Sequence, residues 1–202
     1  MLILTSNGLT SEILLNSARK YINGGKAALI VTADNEYKEK NHNVPHLSCE
    51  LAALGLEVEL FDFDKQTPAE LEKYDVAEMI GGNPYYLLHS IRKNGFVKIL
   101  SDFAENKCLI GSSAGSLVMT PSIDLVDMFS PEMNIVNLND LSACNLTDIR
   151  IVPHYSKFIA RFDGLEEKCV QYEKANACKL IRLEDGEAVI VRQEKTEIIR
   201  NQ

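Results

Sequence analysis

The chain has 202 residues, 46% of them hydrophobic, which suits one domain with a full core (1–202) better than two. Its formal net charge is −8, and the densest basic stretch, Arg92-Lys93, is diluted by acids, so nucleic acid and anionic membrane surfaces are excluded as partners. Cys49, Cys108, Cys144, Cys169 and Cys178 are odd in number and lack CxxC spacing. They read as free thiols of a reducing compartment. The opening MLILTSNGLTSEILL has no basic region and no long apolar run, and no segment approaches the roughly 20 apolar residues of a membrane span. The expectation is a cytoplasmic protein.

From the N-terminus, MLILT (1–5) is a buried strand. Thr10 and Ser11 can cap a helix over 11–22, whose apolar residues recur at helical spacing and which Gly24-Gly25 ends. AALIVTA (27–33) is a second strand, HLSCELAALG (46–55) a helix and LEVELFDF (56–63) an alternating strand. Thr67-Pro68-Ala69-Glu70 is a capping box with proline at the first helical position, so a short helix follows. VAEMIGG (76–82) is a strand running into glycines, and 85–95 and 96–106 are helices. CLIGSSAGS (108–116) is strand, turn and helix start. IRIVPHY (149–155) is a further strand. The tail predicts a helix over about 163–177 and a meander through KLIRL, EAVIVR and TEIIR. Strand–helix alternation predicts a mostly parallel sheet between two helical layers, with antiparallel, hairpin-linked strands near the C-terminus.

Ligand and catalytic groups of such sheets gather at the carboxyl ends of strands. Three places qualify: Gly81-Gly82-Asn83-Pro84, Gly111 to Ser116, and Pro153-His154-Tyr155. Gly-x-Ser-x-Gly marks a strand-to-helix turn so tight that the residues two before and two after the serine must be small. Only Ser113 has glycine at both offsets, because Ser112 and Ser116 have Ile110 and Val118 at one of theirs. The N–H of Ala114 could then serve as an oxyanion donor, with Gly82 of the neighbouring loop as the second. Among four histidines, His154 alone sits at a strand's carboxyl end. His89 lies within a helix, and His42 and His46 in a polar connection. His42, His46 and Glu50 have i, i+4, i+8 spacing, but Pro45 interrupts the run. It reads as a solvated helix start, and no metal or other cofactor is expected. The acid that would orient the histidine is open among Asp124, Asp127, Asp148 and Asp185, since spacing does not decide.

Five stretches in order, LTSNG, GGNPYYLL, GSSAGSLVMTPSI, IVPHY and LEDGEAVIV, make the chain resemble the peptidase E family of serine peptidases, which includes aspartyl dipeptidases and, more distantly, cyanophycinases. The resemblance runs nearly end to end. It implies a three-layer α/β sandwich of flavodoxin-like or class I glutaminase-like type. It implies Ser113 as nucleophile, His154 as base, the Gly82 and Ala114 amides as oxyanion hole, and Asn83 as a substrate contact. For the third catalytic position the dipeptidase pattern points towards Asp127, one residue out of register. The cyanophycinase pattern points to Asp185, which is favoured slightly. The family's arginine for an acidic substrate side chain has a counterpart in Arg161, closer to the histidine than the pattern places it, whereas Lys168 is nearer that spacing. The implied activity is hydrolysis of short peptides, dipeptides with N-terminal Asp first of all. The alternatives are a β-aspartyl or other isopeptide hydrolase, and an inactive binder of small acidic ligands on the same fold. A homodimer paired through an apolar helix face is allowed, but no residue marks it.

Overall fold

The aliphatic runs become strands packed side by side in the computed structural model, which describes residues 1–22, 24–193 and 195–201. The order along the chain is β1 (Leu2–Thr5), α1 (Glu12–Arg19), β2 (Gly25–Ile30), α2 (Val44–Ala53), β3 (Leu56–Phe61), α3 (Pro68–Leu71), β4 (Val76–Met79), α4 (Pro84–Lys93), α5 (Phe96–Asn106), β5 (Cys108–Ser112), α6 (Ala114–Leu117), α7 (Asp124–Asp127), β6 (Arg150–Val152), α8 (Tyr155–Arg161), α9 (Leu165–Ala175), β7 (Leu180–Arg182), β8 (Ala188–Arg192) and β9 (Lys195–Ile199). Among the described residues a seven-stranded sheet has the order β3-β2-β4-β5-β1-β8-β9. β3, β2, β4, β5 and β1 are parallel, joined through helical crossovers, and β8 and β9 close the far edge antiparallel. The fold is the expected α/β architecture.

Every residue of β1, β4 and β5 is buried, as befits central parallel strands covered on both faces. Local signals set some of the helix starts. Ser11 caps α1 by accepting from the Leu14 amide at 3.2 Å. Thr67 and Glu70 form the predicted capping box of α3. No helix among the described residues is long and apolar enough to cross a membrane, and all five cysteines are unpaired.

The structure departs from the sequence-based expectation at several elements, and α7 and α8 are helices where none was expected. Helix α1 stops at Arg19, and Gly25 opens β2 instead of ending a helix. The strand of IRIVP lies outside the large sheet: β6 pairs in parallel with β7, Arg150 opposite Leu180 and Val152 opposite Arg182. KLIRL therefore does not join a meander with β8. The reason is the connection. Helices α8 and α9 separate β6 from β7, and a helical crossover returns a strand parallel to its partner, whereas a hairpin would not. Their small sheet has its own apolar backing, in which Val152 and Leu180 pack with Leu125, Leu165, Cys169 and Tyr172.

Candidate active site

The turn between β5 and α6 consists of Ser113 alone. Its φ of 49° and ψ of −107° lie outside the regions open to side-chain-bearing residues, and such strain gathers where function requires it. Ser113 N–H donates to the Thr5 carbonyl at 3.1 Å, fastening the turn to β1. The flanking glycines are needed for close approach. A Cβ on Gly111 would stand 2.5 Å from the Ser116 nitrogen, and one on Gly115 would collide with the Met79 carbonyl of β4. Gly115→Ala is therefore expected to destabilise the fold by about 1–3 kcal/mol through overpacking, visible as a lower Tm. An unchanged Tm would show that β4 yields readily. The other two serines have different places. Ser112 is buried in β5, and Ser116 is fully buried, accepting from Thr5 N–H at 2.9 Å while its hydroxyl lies 2.6 Å from the Gly111 carbonyl. Ser113 is the one that reaches solvent.

Beside the turn runs the loop after β4. A Cβ on Gly81 would sit 3.3 Å from that of Ser113, so the two segments touch. Gly82 has φ of 150°, and a Cβ there would run into the Ala33 carbonyl, which also accepts from Asn83 N–H at 2.8 Å. Only glycine fits that approach. Among the described residues no group accepts from the amides of Gly82 or Ala114. Asn83 holds the loop in shape. Its Oδ1 caps α4 by accepting from Tyr85 N–H and Tyr86 N–H at 3.0 and 3.1 Å, and its Nδ2 donates to the Met133 carbonyl at 2.7 Å.

His154 caps α8 in a left-handed conformation, φ 53° and ψ 36°. Its backbone N–H donates to Ser6 Oγ at 2.8 Å, and its Nδ1 lies 2.6 Å from Asp185 Oδ1. Ser6 Oγ donates in turn to the same carboxylate oxygen at 2.9 Å. Ser6 directly follows β1, so residues 5 and 6 carry the turn of Ser113 and the backbone of His154 side by side. Asp185 stands in the turn before β8, steadied by Asn201 Nδ2 on its carbonyl at 2.7 Å and by Asn7 Oδ1 on Gly186 N–H at 2.8 Å. Burial pushes the Asp185 carboxyl up. Hydrogen bonds from Lys157, Ser6 and His154 outweigh that and hold it below the usual carboxylate range.

The other acids weighed from sequence lie elsewhere. Asp127 is exposed and accepts from the Tyr85 hydroxyl at 3.2 Å, and Asp124 accepts from the Tyr172 hydroxyl at 2.6 Å. Asp148 is exposed. Arg161, also exposed, meets no carboxylate among the described residues, and its guanidinium lies 5.1 Å above the Phe162 ring. Lys168 is occupied by the Met128 carbonyl at 2.8 Å. His42 falls outside α2, while His46 Nε2 lies 2.7 Å from Glu50 Oε1. The second Glu50 oxygen turns inward and accepts from Leu9 N–H at 2.6 Å, holding the loop that follows Ser6.

Sequence reasoning missed Ser6 and Lys157. A serine immediately after a buried strand, on the sheet edge where the site forms, was the available signal for Ser6. Lys157 gave none, since an exposed lysine on a short helix is ordinary. A cavity of about 1030 Å³ opens at the amino ends of β1, β4 and β5, near Met1, Asp75 and Lys107. It lies at the opposite end of the sheet, and none of the site residues borders it.

The sequence profile of peptidase family S51 matches residues 2–199. An uncharacterized peptidase of Listeria monocytogenes, Lmo0363, is 30% identical over 173 residues, covering 83% of each chain. Peptidase E of Salmonella heidelberg is 28% identical over 167 residues, 77% of this chain and 69% of that one. The crystal structure of a Listeria monocytogenes EGD-e protein assigned to peptidase E superposes with a TM-score of 0.78 at 26% identity, over 100% of this chain and 98% of the other. A peptidase from an acI-B1 actinobacterium, 15% identical, shares the fold with a TM-score of 0.72 over 99% of this chain and 87% of that one. The strained serine turn, the glycine loop and the histidine–aspartate pair all lie within the matched span, and the chain belongs to peptidase family S51 as a peptidase E-like peptidase.

Proposed function

We propose that this peptidase is of serine type and acts as an exopeptidase on short peptides, dipeptides with N-terminal Asp first of all. One observation carries the reading: the residue in the strained turn is a serine, its turn is fastened to Thr5 of β1, and the adjacent Ser6 holds a histidine whose Nδ1 faces a carboxylate at 2.6 Å. In this reading Ser113 Oγ attacks the scissile carbonyl carbon while His154 Nε2 takes its proton. The carbonyl oxygen, now an oxyanion, is held by the amides of Gly82 and Ala114. The tetrahedral intermediate collapses, His154 gives the proton to the departing amine, and an aspartyl ester remains on Ser113. Water, deprotonated by His154, then releases the acid product. Asp185 keeps the Nδ1 proton in place, so Nε2 faces the serine as a base, and its charge stabilises the imidazolium that forms.

Two features support an anionic substrate. Arg161 meets no carboxylate among the described residues, and a guanidinium suits a carboxylate partner. Asn83 retains one Nδ2 hydrogen beyond its bond to Met133, enough for a contact with substrate. A fluorophosphonate probe should label the protein at Ser113 and nowhere in Ser113→Ala, and Asp-Leu and Asp-p-nitroanilide should be cleaved by the wild type. No labelling, together with stabilisation by small dicarboxylates, would instead favour an inactive binder. Faster cleavage of β-aspartyl than of α-aspartyl dipeptides would assign the isopeptide reaction.

A further inference from the structure

Aromatic residues crowd the histidine side of the site. The Phe158 ring lies 5.5 Å from that of His154, the Phe129 ring 5.6 Å from Phe158, and the Phe162 ring 5.1 and 5.5 Å from Phe129 and Phe158. All three rings are only half-buried. Two are carried by α8 or its end, and Phe158 N–H donates to the His154 carbonyl at 2.9 Å, so ring and imidazole stand one helical turn apart. Phe129 comes from the segment after α7. That same segment is tied at Met133 to Asn83, beside the glycine loop. It thus bridges from the Gly82 side of the site to the helix that begins at His154.

The chemistry gives this wall its partner. A base that takes the serine proton must return it to the departing nitrogen, so the residue carrying that nitrogen lies against the imidazole. Whatever stands next to His154 on its open side therefore faces the leaving residue and not the acyl residue. We propose that Phe158 and Phe129, backed by Phe162, form the subsite for the leaving residue's side chain and select substrates whose second residue is apolar or aromatic. This rests on the serine peptidase reading above and names the substrate class for it. Half-exposed rings lose water when an apolar side chain covers them, and they gain less from a charged side chain, which keeps its hydration, or from a very small one.

The test keeps Asp as the first residue and varies the second: Asp-Phe, Asp-Leu, Asp-Gly and Asp-Lys, with kcat and KM measured for wild type, Phe158→Ala and Phe129→Ala. The wild type should cleave Asp-Phe and Asp-Leu with kcat/KM at least about 10-fold above Asp-Gly and Asp-Lys, the size expected of a few apolar groups in a pocket. Phe158→Ala should bring the Asp-Phe to Asp-Gly ratio to within about threefold, and Phe129→Ala should lower it less. The ratio within one preparation does not depend on its folded fraction, so partial unfolding of a variant cannot imitate the effect. Ser113-dependent hydrolysis with equal kcat/KM across the panel, or a ratio unmoved in Phe158→Ala, overturns the subsite and leaves the peptidase reading standing. Failure to cleave any of the dipeptides, or equal rates in Ser113→Ala, overturns both.

Discussion

Replacing Ser113 by Ala or Asp185 by Asn is expected to lower kcat on Asp-Leu roughly ten-thousand-fold, and the double variant should be no worse than Ser113→Ala alone. The serine variant removes the group that is the nucleophile in the proposed reaction. The asparagine variant is the more informative, because it preserves shape. An amide nitrogen beside His154 Nδ1 would donate to it, leaving the ring proton on Nε2, where it can no longer accept from the serine. Asp127→Asn serves as the contrast. Its carboxylate is exposed on the Tyr85 hydroxyl, and an exposed substitution of this kind changes stability by about 0.5 kcal/mol at most, so kcat should stay close to that of the wild type. A large loss in Asp127→Asn with little in Asp185→Asn would reverse the assignment. The pH dependence has a definite sign. Because Lys157, Ser6 and His154 hold the Asp185 carboxyl below its ordinary range, it stays anionic through mildly acid and neutral pH. The stability that its pairing contributes is present above the unfolded carboxylate pKa and is lost only as pH falls through the lower folded value.

Glu78→Leu should raise stability at neutral pH by about 1–4 kcal/mol. Glu78 lies in β4 between β2 and β5, is fully buried, and neither of its carboxyl oxygens has a partner among the described residues. Burial, reinforced by the nearby Glu50 charge, pushes its carboxyl well above the ordinary range. A group with a raised folded pKa favours the native state fully below its unfolded pKa, and that contribution is lost as pH rises towards the folded value. Denaturant unfolding from pH 5 upward should therefore show stability falling with a slope of at most about 1.4 kcal/mol per pH unit from this group. Glu78→Leu should flatten that slope and raise the denaturant midpoint. A variant that is less stable than the wild type at pH 7 would mean that the carboxyl has a partner worth more than the leucine's packing. Glu50, also raised by burial, is a separate case. Its Oε2 holds Leu9 N–H at 2.6 Å, so removing it should loosen the loop after Ser6 instead of stabilising the sheet.

The layered α/β architecture, the three loops of the candidate site, and the glycine spacing that singles out Ser113 from its two neighbours are all legible in the amino-acid sequence. These are local facts. Burial of a parallel strand writes itself as an aliphatic run, and a tight strand-to-helix turn writes itself as glycines two residues either side of a serine, because a Cβ at Gly111 or Gly115 meets backbone. His154 was legible for the same kind of reason, as the polar residue after an apolar run, although β6 proved to belong to the small sheet with β7. Three features are decided by the folded chain: the contact of Asp185 with the histidine, towards which the resemblance leans only slightly, the bracing of both by Ser6, and the meeting of the Phe129 and Phe158 rings beside the imidazole. His154 and Asp185 are 31 residues apart, and His154 and Ser6 are 148 apart. No periodicity or spacing rule reaches across such separations. An exposed aspartate and one that faces a histidine look alike in sequence, and what distinguishes them is the packing that brings one carboxylate, and not the others, within hydrogen-bonding distance of a ring nitrogen.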